Sequence, residues 1–245
     1  MAKAVFNGQL LLRPYATFSH PNALAGFILV ALIILVPTGW LRLRAVKRIG
    51  IALGILAIIF SFSRSVWFLG LLLAFLWLGK SLWFSKINKN WGFLVGGLFL
   101  IISFWVFYLA PHFSTNEALF QRLQLMKAAW LMIKDFSLAG VGLNNFIVRL
   151  PEYWAQTGFT YWLQPVHNFY LLWLVEVGWV GLLIWLWFLF LTFKRLFPLQ
   201  GQRGTLLLAL MAILILGSFD HYWLTLQQNQ LLLTVILGTV WSSQS

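Results

Sequence analysis

Apolar runs long enough to cross a bilayer as helices punctuate the chain, and its basic residues collect in alternate gaps between them. Runs near His20 to Pro37, Ile49 to Phe62, Ser65 to Phe84, Trp91 to Ala110, Asn168 to Phe193, Gly204 to Phe219 and, shorter, Gln230 to Trp241 are the expected spans, since about 20 apolar residues cross the hydrocarbon core. Arg42, Arg44, Lys47 and Arg48 follow the first run, Lys80, Lys86 and Lys89 the third, and Lys194, Arg195 and Arg203 the fifth, with no acid among them. Short basic loops resist translocation, so these gaps face the cytoplasm. Alternation then puts the N-terminus, the Ser61 to Ser65 turn, the 111–166 segment and the Asp220 to Asn229 loop outside. All four histidines lie on that outer side.

Composition agrees with lipid as the solvent: 61% of residues are hydrophobic and 9% charged. The net charge of +12 is spread between apolar runs, and no polar domain carries a basic footprint, so nucleic acid is excluded as a partner. The absence of cysteine removes disulfides, thiolate metal sites and cysteine nucleophiles. Met1 to Ser19 lacks the apolar core and cleavage pattern of a signal peptide. The expected fold class is all-α. It is a polytopic transmembrane helix bundle of about seven spans, one membrane domain over 1–245, with an outer amphipathic-helix segment at 111–166.

Within that outer segment Ser114 and Glu117 have capping-box spacing and open a helix expected to reach Asp135. Leu119, Leu123, Met126, Trp130 and Ile133 share one stripe, which suits a helix lying on the membrane surface or capping the bundle. Arg122, at the stripe's edge, can point inward while Lys127 reaches water. Gly140-Val141-Gly142 lacks a preceding strand and a third glycine in register, so it reads as a C-cap turn instead of a dinucleotide loop. Tyr153, Trp154, Phe159, Tyr161 and Trp162 form an aromatic cluster suited to interface anchoring and compatible with sugar stacking.

The polar residues near the outer face are few. Arg64, in a short polar turn between two apolar runs, either snorkels to lipid phosphate or grips a phosphate-bearing substrate bidentately. His167 opens the fifth run beside Asn168, as a local hydrogen-bonding group or as a base. Glu176 lies about half a turn of azimuth away from His167. It is a buried partner for a cation or polar group on another helix, or part of a substrate path. Gly178 and Gly181 beside it permit close helix approach. Asp220 and His221 are placed to orient a neighbouring arginine or histidine, or else are solvated loop residues. The five acids are not clustered in sequence, so metal and cofactor are both expected to be absent. A reaction here would use a donor already activated and stabilise its leaving group with arginine.

Several segments together resemble the O-antigen ligase and polymerase superfamily. They are Arg13-Pro14-Tyr15-Ala16-Thr17-Phe18-Ser19-His20-Pro21-Asn22; Ser63-Arg64-Ser65 opening a span; Arg122 followed by Trp130 and by Gly140-Val141-Gly142-Leu143-Asn144-Asn145-Phe146; and Pro165-Val166-His167-Asn168-Phe169-Tyr170 continuing to Glu176, Gly178 and Gly181. The resemblance implies a bacterial inner-membrane glycosyltransferase acting on the periplasmic or extracytoplasmic face. Its glycan donor would be linked to undecaprenyl diphosphate, and its acceptor a lipid A-core glycolipid, a glycan or a protein hydroxyl. It implies a metal-independent inverting transfer in which Arg64 and Arg122 engage the diphosphate and His167 serves the acceptor, with Asn168, Asp220 and His221 in the substrate site. Members of that family have about a dozen spans and carry the His-Pro-Asn segment near their middle, whereas here it stands at residue 20. The match is therefore to the C-terminal half, and a missing N-terminal half joins membrane lipids among the expected partners. The rival reading is a transporter, a lipid-handling subunit or an inactive half. Glu176 favours transport, whereas the lack of glycine- or proline-broken helix pairs and of an inverted repeat opposes it.

Overall fold

The computed structural model describes residues 3–6, 9–13, 15–37, 44–84, 116–154, 163–197 and 201–242, with backbone alone for 3–12, 76–84 and 116–118. The helical class holds, with one addition at the N-terminus. Strands β1 (Lys3–Phe6) and β2 (Gln9–Leu12) pair antiparallel, Lys3 opposite Leu12 and Phe6 opposite Gln9. The chain forms two compact units.

The first unit holds the hairpin, most of α1 (Pro21–Leu35), α2 (Arg44–Phe60) and α3 (Arg64–Phe84). Proline opens α1, where its missing N–H costs nothing, and the His20 carbonyl accepts from the N–H groups of Ala23 and Leu24. Leu29 and Val30 of α1 are buried, as are Val66 and Leu69 of α3. Most of α2 is apolar yet uncovered: Ile49, Leu53, Ile55, Leu56, Ile59 and Phe60 are all exposed. Such a surface is untenable in water and ordinary in lipid.

The second unit contains α4 (Asn116–Asp135), α5 (Phe146–Tyr153), α6 (Phe169–Leu196), α7 (Gln202–Gly217), the single turn α8 (Tyr222–Thr225) and α9 (Gln227–Ser242). Its core lies between α4, α5 and the first half of α6: Leu125, Ala129, Met132, Phe146, Leu150, Leu172 and Val175 are buried together. The α4 helix ends at Asp135 as expected, and most of its apolar stripe is turned away from the protein core. Leu119, Leu123, Met126 and Trp130 are exposed, and of that stripe Ile133 alone is buried. Ala128 and Ala129 let α4 sit close to α6, so the larger apolar residues are turned outward, where a membrane surface would meet them.

Among the described helices α6 alone is long and apolar enough to cross a membrane. Only 28% of its most apolar window is buried, unlike the core helix of a water-soluble protein. Helices α1 and α7 and residues Arg64–Phe75 of α3 are apolar but shorter. The described helices thus give one clear span instead of about seven, and the expected Trp91 to Ala110 span, like Ser114, Phe159, Tyr161 and Trp162, lies outside the described residues.

The α6 helix is broken at Gly178, where φ is 65° and ψ −172°. The break frees backbone groups that the 137–142 loop then takes up. Val141 and Gly142 donate to the carbonyls of Val175 and Glu176, each at 2.9 Å, while Trp179 and Val180 donate to those of Ser137 and Leu138 at 2.9 and 3.2 Å. A Cβ on Gly140 would lie 2.4 Å from the Glu176 carbonyl carbon, and one on Gly178 2.2 Å from the Leu138 oxygen. Both positions need glycine for space and for their positive φ. Gly140-Val141-Gly142 is therefore more than a C-cap turn: it docks backbone on backbone. This is one glycine-broken helix and not a pair, and its freed groups are hydrogen-bonded to protein. Glu176, buried, faces the backbone N–H groups of Asn144 in the preceding loop and of Phe146 in the first turn of α5, so the polar group it meets is main chain at the start of another helix.

Candidate active site

In the second unit the sequence-remote residues His167, Asp220 and His221 meet. Two features bring them together. Asn168 caps α6 by accepting the Leu171 N–H at 2.9 Å, and its amide nitrogen donates to the Ser218 carbonyl at 3.1 Å, tying the start of α6 to the turn after α7. Gly217 lets the two approach, because a Cβ there would meet the Phe169 Cβ at 3.0 Å. The turn is closed by Asp220 N–H on the Leu216 carbonyl and anchored by Tyr222 and Trp223, both essentially buried. Burial, with the Asp220 charge nearby, pushes the Tyr222 phenol well above its ordinary range, so it stays neutral.

Asp220, 4% exposed, presents one carboxylate oxygen to two donors. His167 Nδ1 lies 3.1 Å from Oδ1, and the His221 backbone N–H donates to the same oxygen at 2.9 Å. An ionised carboxylate only accepts, so this contact assigns a proton to His167 Nδ1, and in the tautomer it selects Nε2 carries the lone pair. The His221 ring lies 5.4 Å from that of His167, with its Nδ1 2.7 Å from the Thr225 hydroxyl oxygen and its Nε2 3.8 Å from Asp220 Oδ1. Thr225, four residues on, is a member of the cluster that sequence reasoning missed; nothing but its helical spacing from His221 signals it. Chemically the arrangement is a base with an oriented tautomer and a buried counter-charge.

His167, Asp220 and His221 also offer three metal-ligand atoms within 4.8 Å of one another. Two imidazoles and a carboxylate would suit Zn²⁺ better than Mg²⁺. Dispersed acids in the sequence did not reveal this set. The hydrogen-bonding on Asp220 Oδ1 fits a histidine-orienting role without an ion.

Arg122 falls one turn before Leu125 on the inward face of α4, half-buried, whereas Lys127 is exposed, as the azimuths require. Arg122 forms no ion pair with a carboxylate among the described residues, and no hydrogen bond there joins it to the histidine cluster.

The first unit has its own polar focus around Arg64, the exposed first residue of α3. Phe62 adopts a positive φ of 51°, uncommon for an aromatic residue, and the turn is held by Ser61 Oγ donating to the Ile58 carbonyl at 2.6 Å and by Trp67 Nε1 donating to the same carbonyl at 2.8 Å. Arg13 pins it from outside, donating to the Ser61 carbonyl at 2.7 Å and to Asn22 Oδ1 at 2.8 Å, while Asn22 N–H donates to His20 Nδ1 at 3.2 Å. The Arg13 to Asn22 segment and the Ser63-Arg64-Ser65 turn, separate motifs in sequence, are thus one structure.

A mostly helical chain with a lipid-ready helix and a carboxylate-oriented histidine at its mouth defines a membrane protein with a candidate acid–base site. The sequence pattern of the family described as O-antigen ligase matches residues 49–186, more than half of the chain, and the chain belongs to that family. Its members are integral inner-membrane proteins of glycosyltransferase type that serve polysaccharide assembly, and α6 fits that setting. No curated protein and no solved structure matches the chain.

Proposed function

We propose that this chain is a multi-pass glycosyltransferase that moves a glycan from an undecaprenyl-diphosphate carrier to an acceptor hydroxyl on the outer face of the inner membrane. The observation that carries the proposal is the 3.1 Å contact of His167 Nδ1 with buried Asp220. It aims an unprotonated Nε2 away from the carboxylate, where an acceptor hydroxyl can reach it. Nε2 takes the hydroxyl proton as the acceptor oxygen attacks the anomeric carbon. The bond from that carbon to the diphosphate oxygen breaks, the anomeric configuration inverts, and Asp220 stabilises the imidazolium. The departing diphosphate gains negative charge that guanidinium forks can neutralise, a role that the family resemblance gives to Arg64 and Arg122. Asn168 fixes the start of α6, and His221 extends the polar wall facing the acceptor. No metal is needed for these steps.

The test is glycan transfer from an undecaprenyl-diphosphate-linked donor in proteoliposomes. His167→Ala should lower turnover by about a thousandfold with membrane insertion intact. Arg64→Lys and Arg122→Lys should each raise KM and lower kcat, since an ammonium cannot make the bidentate contact. An active His167→Ala protein removes the base, and normal turnover in both lysine variants removes the diphosphate clamp. Turnover abolished by a chelator and restored by Zn²⁺ would replace the metal-free scheme with a His167-Asp220-His221 metal site.

A further inference from the structure

The far end of α6 from His167 carries a second, chemically opposite site. A cavity of about 430 Å³ is lined there by Leu191, Lys194, Arg195, Phe197, Arg203 and Trp241. Three of its six walls are cations, and none of them pairs with a carboxylate among the described residues. The Arg195 guanidinium is held in place: its carbon lies 3.9 Å from the centre of the Trp241 ring. That ring is fixed in turn by stacking on Phe188 at 5.5 Å and by donating from Nε1 to Thr192 Oγ1 at 3.1 Å, Thr192 being wholly buried. Arg203 stands in the first turn of α7, whose Gly201 cap supplies no side chain to occupy the leading N–H groups.

Loop lysines and arginines that merely set topology need no such fixation. A guanidinium laid on an indole, a second guanidinium at a helix start and a flanking ammonium surround a space large enough for a phosphate group and its ester arms. Its depth follows from length. The stretch of α6 beyond the break at Gly178, residues 179–196, makes about 27 Å of helix, close to the ~30 Å hydrocarbon core, so its last turn lies at the headgroup level on the side away from His167. Leu191 and Phe197 give the cavity an apolar flank where acyl chains begin.

We propose that this cavity binds the phosphodiester headgroup of an anionic membrane phospholipid, gripped by Arg195 and Arg203 with Lys194 beside them. The ligand chemistry is a phosphate anion, and the lipid is its source. This assignment is independent of the glycosyltransferase reading, because no step of transfer uses these residues.

The experiment measures lipid retention by the full chain in nanodiscs and in detergent, by native mass spectrometry and thermal midpoint, with phosphatidylglycerol, phosphatidylcholine or inorganic phosphate as probe. Phosphatidylglycerol should be retained and raise the midpoint, phosphatidylcholine should not, and millimolar inorganic phosphate should not displace the lipid. The double variant Arg195→Gln with Arg203→Gln should bind phosphatidylglycerol about thirtyfold more weakly. Trp241→Leu keeps every charge but frees Arg195, and should weaken binding about threefold. Lys134→Gln, on α4, should change nothing. Equal retention of both lipids, displacement by inorganic phosphate, unaltered binding in both variants, or an equal loss in Lys134→Gln would each overturn the assignment. Should the double variant fail to fold, Trp241→Leu against Lys134→Gln decides alone.

Discussion

The start of α6 and its break at Gly178 are held by opposite means. At the start, side chains make the contacts: His167 and Asn168 reach across to Asp220 and Ser218, and each bond depends on one functional group. At the break, backbone meets backbone: the 137–142 loop and residues 175–180 exchange four main-chain hydrogen bonds, with glycines where any Cβ would collide. A side-chain contact can be re-aimed by substitution while the fold stands. A backbone joint cannot. The second region is therefore the frame that fixes where the first region's chemistry sits.

That contrast can be broken most forcefully at Gly140. Gly140→Ala combines a positive φ with a Cβ driven into the Glu176 backbone, and should destabilise the second unit by about 3 kcal/mol, lowering the thermal midpoint in detergent. A variant as stable as the parent would show that the joint yields, and the frame argument would fail. Asp220→Asn should do the reverse. The amide can still accept from the His221 N–H, so the thermal midpoint should stay within a degree or two while kcat falls about a hundredfold with KM nearly unchanged. A large loss of stability with full activity in the surviving fraction would mean that Asp220 belongs to the frame instead.

Tyr153 sharpens the contrast at its weak end. Its hydroxyl donates to Asp135 Oδ2 at 2.7 Å, and that bond, aided by partial burial and the carboxylate charge, pushes the phenol up to about 12. The folded-state value is raised above the ordinary 10, so the contribution is complete below pH 10 and is lost as pH rises through about 12. The side chain is largely solvated, so Tyr153→Phe should cost no more than about 0.5 kcal/mol at neutral pH. A difference between parent and variant that grows on raising the pH would contradict the bond's role.

Much of this was legible in the residues. Helix placement followed the apolar runs closely: α1 spans Pro21–Leu35 against an expected His20 to Pro37, and α9 spans Gln227–Ser242 against Gln230 to Trp241. The α2 helix starts at Arg44, ahead of the apolar run that opens at Ile49, because long basic side chains extend a helix into the headgroup region as easily as they flank it. The β1–β2 pairing is not signalled by apolar run length, since both strands are too short to stand out among the helical runs. On α4 the stripe leaves open whether its apolar side meets membrane or bundle, because a helix between protein and lipid has no polar side to mark the outward direction.

For this protein the sequence by itself determined the solvent, the helices and the shortlist of polar residues, since hydrophobic run length and charge placement are local properties that a bilayer reads directly. Only tertiary structure decided which of those polar residues touch. The partnership of His167 with Asp220, the capture of the Ser61 to Ser65 turn by Arg13 and the immobilisation of Arg195 on Trp241 each join residues from different helices or loops. Such distances depend on how close two backbones come, and that is fixed by small residues such as Gly217 and Gly178 whose own pattern carries no hint of what they admit.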